Sequence, residues 1–230
     1  ICSVPDVPRG DGPTIGVDLG VNTIAAATDG KRAVVISGRG AKATIQWRNK
    51  RLASLSQQQS RREKGSRRWR RLQRRKRKLL RKASNRIRDV LHKASRQVAD
   101  AFPNARCYVG EPFNDASQKL RARQAQTVSQ TCTRKFIRLL DYKTAGAIVV
   151  NEAYTSQTCP VCGERSKHGR IYRCRCGVIA PRDVIGATNI LAIGQCGQML
   201  PERRVPSQIT YRRPWFQVRR SSPGHGGSSS

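Results

Sequence analysis

The sequence predicts an α/β fold: a mixed sheet that carries an inserted basic helical hairpin and an inserted zinc ribbon. Three observations lead there. Short apolar, strand-like runs at 14–37, 106–113 and 147–150 are interleaved with stretches of helical periodicity. Arg61 to Lys82 holds 14 Lys and Arg residues among 22, with apolar residues at helical spacing. Four cysteines fall in two close pairs, Cys159-x2-Cys162 and Cys174-x-Cys176.

Composition narrows the function classes. The 230 residues include 46 Lys and Arg against 14 Asp and Glu, a net charge of +32. A charge of that size calls for a polyanion, and nucleic acid is the natural one. A membrane partner is disfavoured, because no apolar run reaches spanning length and aromatics are only 5%. Hydrophobic content of 37% is low, so part of the chain is expected to be a solvated basic element or a disordered tail. No signal peptide is visible at the first residues, and paired cysteines then fit metal binding in a reducing compartment. The expected location is the cytoplasm, in association with the nucleoid.

Taken in order, residues 1–13 hold three prolines and two glycines and read as a linker. Thr14 to Gly20 is an apolar strand carrying a single acid, Asp18, which is costly to bury unless it is paired or binds a cation. Thr23 to Thr28, the hairpin signal Asp29-Gly30 and Ala33 to Ser37 complete a three-stranded meander. The expected core then pauses. A first helix over about 46–63 and a longer one to 102, separated by Gly65-Ser66, form the basic hairpin. Like charges spaced four apart repel, so its surface needs phosphates to be quiet. Arg67, Arg68, Arg71, Arg74, Arg75 and Lys78 are the expected nucleic-acid contacts. Trp47 and Trp69 read mainly as packing residues of this hairpin, with base stacking the alternative.

Residues 106–113 form another strand, with Glu111 at its end; 114–128 read as a loop, 129–145 as a helix, and Ala147 to Val150 as a buried strand. The cysteine pairs come next. Two short knuckles facing each other supply the four soft ligands of a tetrahedral Zn²⁺, and the eleven residues between the pairs are enough for a small β-hairpin. Each pair is followed by a glycine, Gly163 and Gly177, which allows a tight turn at the metal. His168 reads as a loop residue, since four cysteines close the site. Cys2, Cys107, Cys132 and Cys196 read as apolar fillers or free thiols. Pro181, Arg182 and Asp183 open a helix with apolar periodicity through Leu191. This order divides the chain into a linker at 1–13, core at 14–45, basic hairpin at 46–102, core at 103–152, zinc ribbon at 153–178, a last core helix at 179–198 and a disordered basic tail at 199–230.

Three acids, Asp18, Glu111 and Asp183, each lie where a strand or helix ends, which is where sites collect in α/β sheets. Three carboxylates can hold two Mg²⁺ about 4 Å apart, one activating water and one stabilising the leaving oxygen of a phosphodiester. The bland alternatives are a first-turn acid at Asp183 and three unrelated carboxylates.

Gly16-Val17-Asp18-Leu19-Gly20, Val109-Gly110-Glu111, Thr155 to Gly163 and Arg182-Asp183-x4-Ala187-x-Asn189-Ile190 resemble the signatures of transposon-encoded TnpB (OrfB) proteins. The order matches too, including Leu91-His92-Lys93 near the end of the basic hairpin. The resemblance spans about residues 14–192. It implies a RuvC-type, RNase H-like nuclease fold similar to type V CRISPR effectors, with the chain as the C-terminal part of such a protein. It further implies that Asp18, Glu111 and Asp183 bind two catalytic Mg²⁺. Cys159, Cys162, Cys174 and Cys176 would bind one structural Zn²⁺. The implied activity is RNA-guided cleavage, with DNA and a guide RNA as partners. The chain departs from the family at Cys174-x-Cys176, where the spacing is one residue short, at Pro181 and at Gly186-Ala187. Such departures resemble a sub-branch near the transposon-associated CRISPR effectors, some of which have lost cleavage. All three acids remain, so an intact site is expected, with a nuclease-inactive nucleic-acid-binding protein as the alternative. A ribosomal zinc-ribbon protein would account for the charge and the cysteines but leaves the three acids unexplained.

Overall fold

The computed structural model describes residues 12–111, 132–167 and 169–214. The expected linker at 1–13 and loop at 114–128, His168 and the chain after 214 lie almost wholly outside these residues. The meander forms as expected: β1 (Thr14–Leu19), β2 (Thr23–Thr28) and β3 (Arg32–Ser37) run antiparallel in turn. The β2–β3 turn is tied by Asp29, whose Oδ1 accepts from the backbone N–H of Lys31 and Arg32 at 2.9 Å each.

β4 (Arg106–Glu111) pairs parallel with β1, and β5 (Ala147–Asn151) pairs parallel with β4. The six-stranded mixed sheet has the order β5-β4-β1-β2-β3-β8. Its last strand, β8 (Gln208–Arg212), pairs parallel with β3 and corrects the expected disorder from 199 onward. Prolines and arginines around it mask a run of strand formers, Ile209-Thr210-Tyr211. Ile209 packs on Ala26, Ala33 and Val35, and the strand covers an edge that would otherwise be open.

Side chains alternate across the sheet, so two cores form. On one face Ala25, Ala27, Val34, Ile36 and Val109 pack under α2 (Arg67–Ala101) and α3 (Thr133–Lys143). On the other, Ala26, Val35 and Tyr108 meet α4 (Arg182–Cys196). The result is three layers, helix, sheet, helix.

α1 (Arg39–Ser60) starts earlier than the expected position near 46, because Ala41 and Ile45 already pack on the core. In α2 the buried stripe runs mostly through the C-terminal half, from Ala83 to Val98. Its first turns stand away from the sheet, against α1. Ser66 caps α2 by accepting from the Trp69 N–H at 3.2 Å.

The cysteine region forms a hairpin, but not between the two pairs as expected. β6 (Ile171–Arg173) and β7 (Ile179–Pro181) flank the second pair instead, and the Cys174–Gly177 knuckle is itself the turn. The Cys174 N–H donates to Val178 at 2.9 Å, and Gly177 takes φ 93°. A one-residue-shorter pair is accommodated because it sits at the tip of a hairpin. No helix among the described residues is long and apolar enough to cross a membrane.

Candidate active site and metal centre

β1, β4 and β5 are parallel neighbours, so their C-terminal ends share one edge of the sheet. Asp18 lies near the end of β1 and Glu111 ends β4, opposite Asn151 in the register. Glu152 follows β5 directly. Asp183 is the second residue of α4 and points its first turn to the same edge. The topology thus gathers the three expected acids and adds a fourth.

Close approach of α4 to the sheet makes this possible. A Cβ at Gly16 would stand 2.1 Å from the Ala187 carbonyl, and one at Gly186 would stand 2.9 Å from Asp18 Oδ2. Strand backbone therefore meets helix backbone at Gly16, and helix backbone meets the Asp18 side chain at Gly186. Gly110 does the same for the fourth acid: its Cβ would lie 2.8 Å from Glu152 Oε2 and 2.6 Å from Ile190 Cδ1.

The electrostatics follow from crowding. Desolvation raises the Asp18 carboxyl well above its ordinary range; Glu152 and Asp183 add to this, and Arg182 opposes it. Burial, then Glu111, pushes Glu152 up to about 7. Glu152 Oε2 is buried without a hydrogen-bond partner among the described residues. Among the described residues Glu111 pairs with Arg134 Nε at 3.5 Å, a largely exposed contact of little strength. Four acids with few cations and an orphaned buried oxygen fit a site that divalent ions complete. Glu152 escaped the sequence reading because it follows a strand and precedes a loop, where an acid is unremarkable. The available signal was its place at the end of a strand beside β4.

The four cysteines converge as expected. Their sulfurs all lie within 4.8 Å of one another, with Cys159–Cys176 at 3.6 Å and Cys162–Cys174 at 3.4 Å. Tetrahedral ligation at a Zn–S length of about 2.3 Å needs S···S separations of about 3.8 Å, so the cluster is compatible with zinc. Among the described residues this is the one group of metal-ligating side chains so tightly convergent. Burial pushes the Cys159 thiol up to about 12, a cost that metal ligation reverses by favouring the thiolate. The cysteine region is fixed to the acidic edge through α4. Tyr172, Cys159 and Ala180 pack on Ile185, and Asn189 Nδ2 donates to the Thr155 and Thr158 carbonyls at 2.7 Å each.

Arg67, Arg68, Arg71, Arg74, Arg75 and Lys78 are all exposed on the first half of α2. None of the six takes part in an ion pair among the described residues.

Comparison with known proteins agrees with this organisation. Residues 3–106 match the family model "Probable transposase" (OrfB_IS605), and residues 134–190 match "Cas12f1-like, TNB domain". The TnpB-like protein MJ0012 of Methanocaldococcus jannaschii is 36% identical over 72 residues, 30% of this chain and 34% of that protein. A cryo-EM structure of a Cas12f1–sgRNA–target DNA complex aligns with 84% of the chain and 52% of its own, at 18% identity and a TM-score of 0.48. The chain thus spans about a third of the curated relative and about half of the solved one. The two family models cover successive parts of the chain, first β1 to β3 with the basic helices, then α3, β5, the cysteine region and most of α4. These matches, over residues 3–106 and 134–190, together with the TnpB-like relative, support a TnpB-family protein.

Proposed function

We propose that the chain carries the nuclease centre of a TnpB-type, RNA-guided DNA endonuclease, with an RNase H-like (RuvC) sheet and a zinc ribbon. The observation that carries this reading is the convergence of Asp18, Glu111, Glu152 and Asp183 at one edge, from three parallel strand ends and one helix start. Asp18, Glu111 and Asp183 would hold Mg²⁺, with Glu152 beside them. Bound Mg²⁺ supplies an activated water and a stabilised leaving oxygen for phosphodiester hydrolysis.

The chain's own groups do the rest. The acids hold negative charge at a partly desolvated edge, and crowding makes that charge costly until a cation arrives. Arg182, beside Asp183, brings positive charge to the same edge. The exposed cations of α2 hold backbone phosphates, which gives affinity without reading sequence. Cys159, Cys162, Cys174 and Cys176 would bind one Zn²⁺ and brace α4, and so Asp183.

The test is incubation of the purified chain with labelled single-stranded DNA, with and without Mg²⁺, beside Asp18→Ala. Mg²⁺-dependent cleavage lost in the variant is expected. Cleavage that persists in Asp18→Ala would remove the assigned acids. Tight, salt-dependent binding without turnover would favour the non-catalytic reading.

A further inference from the structure

α1 and α2 form an antiparallel hairpin that is pinned at two places. Near its tip, Gln59 Nε2 donates to Gln73 Oε1 at 2.9 Å and Lys76 Nζ donates to Gln59 Oε1 at 2.8 Å. Nearer the sheet, the Arg86 guanidinium lies over the Trp47 ring, 5.3 Å from its centroid. Between these pins, residues of both helices line a cavity of about 350 Å³.

The facing residues set the chemistry of this cavity. Trp47, Arg51 and Leu55 follow one another at four-residue spacing on α1, while Arg75, Lys78, Leu79 and Lys82 share one face of α2. Only Leu55 and Leu79 offer apolar contact beside the indole. Arg51, Arg75, Lys78 and Lys82 line the same space, no acid lines it, and none of the four has an ion pair among the described residues. Like charges cannot approach further without an anion between them.

We propose that this pocket takes one unstacked nucleotide of a single-stranded nucleic acid, its base against Trp47 and its phosphates among Arg51, Arg75, Lys78 and Lys82. The volume lies within the range of small-ligand sites, roughly 300–1,000 Å³. An aromatic floor with a cationic rim is the chemistry that single strands require, since stacking is open to every base and the phosphates are met by charge. Duplex does not fit, because its bases are paired and stacked. Arg86 stands outside the lining, so it holds the indole without filling the cavity. The inference rests on the nucleic-acid reading above and adds a base-binding site to it.

The experiment uses the full chain, Trp47→Leu and Trp47→Phe, with labelled single-stranded DNA, single-stranded RNA and a duplex of the same sequence. Trp47→Leu is expected to lose about tenfold in affinity for single strands and nothing for duplex, with Trp47→Phe close to wild type. The salt slope stays the same in both variants. The tighter of the DNA and RNA arms identifies the strand the pocket serves. In a Trp69→Phe/Trp215→Phe background, single strands should quench the remaining indole. Equal losses on single strand and duplex, no loss on either, or no quenching would overturn the pocket while leaving nucleic-acid binding intact. Failure of wild type to bind any of the three would overturn the nucleic-acid reading itself.

Discussion

The carboxylate of Asp18 lies against the bare backbone of Gly186, with room for no side chain between them: a Cβ at position 186 would stand 2.9 Å from Oδ2 and 3.1 Å from Cγ. Strand β1 and helix α4 meet there, and the first turn of α4 carries Asp183.

Gly186→Ala therefore tests the site without touching an acid. Alanine gains about 1 kcal/mol over glycine in a helix, while overpacking costs about 1–3 kcal/mol, so thermal stability should change little. The Asp18 carboxyl must move, and Mg²⁺ affinity measured by calorimetry should fall at least tenfold. Unchanged Mg²⁺ binding would separate Asp18 from the cation site.

Glu152 gives a pH dependence with a definite sign. Its carboxyl titrates at about 7 in the folded protein, above its ordinary value of 4.5. The folded state then holds more protons than the unfolded state between these values. Stability without Mg²⁺ should be full below about pH 4.5 and fall as pH rises towards about 7, by up to about 3 kcal/mol. Glu152→Gln should flatten this slope in denaturant unfolding, and Mg²⁺ should restore stability above pH 7 in wild type. A slope that is identical in Glu152→Gln would assign it elsewhere.

Zinc removal should reach the active edge. Metal analysis should find one Zn²⁺ per chain, and Cys162→Ser should lower it. Because Tyr172 and Cys159 pack on Ile185 of α4, chelation should reduce both melting temperature and Mg²⁺ affinity. Chelation that releases zinc without either effect would mean the ribbon is an independent appendage.

Charge on α2 should behave additively. Arg71→Gln and Arg74→Gln alter exposed side chains that have no ion pair among the described residues, so folding should be unaffected. Each should weaken binding across all sequences and reduce the log–log salt slope by about 1. Loss confined to one sequence would indicate base reading rather than phosphate contact.

The chain's local chemistry was readable wherever a short segment decides its own structure. The meander follows from alternating apolar residues and the Asp29-Gly30 turn, and the cysteine cluster follows from spacing that leaves its sulfurs few places to go. Asp18 and Asp183 stood out because an acid inside an apolar strand, or before an apolar helix, needs a reason. The ribbon's strands were misplaced because a knuckle can itself serve as a turn, which spacing alone does not show.

What the sequence determined by itself, then, was the strands of the meander, the basic face of α2 and the four cysteines, each fixed by periodicity, charge or spacing within a few tens of residues. The tertiary structure alone decided that β4 lies between β1 and β5, which brings Glu152 to Asp18 across more than a hundred residues of chain and to Glu111 across about forty. It also decided that β8 pairs with β3, with Ile209 packed on the core beneath, and that Trp47 shares a cavity with cations of both basic helices. These are contacts between segments, and their energies depend on which partner arrives, a quantity no single segment carries.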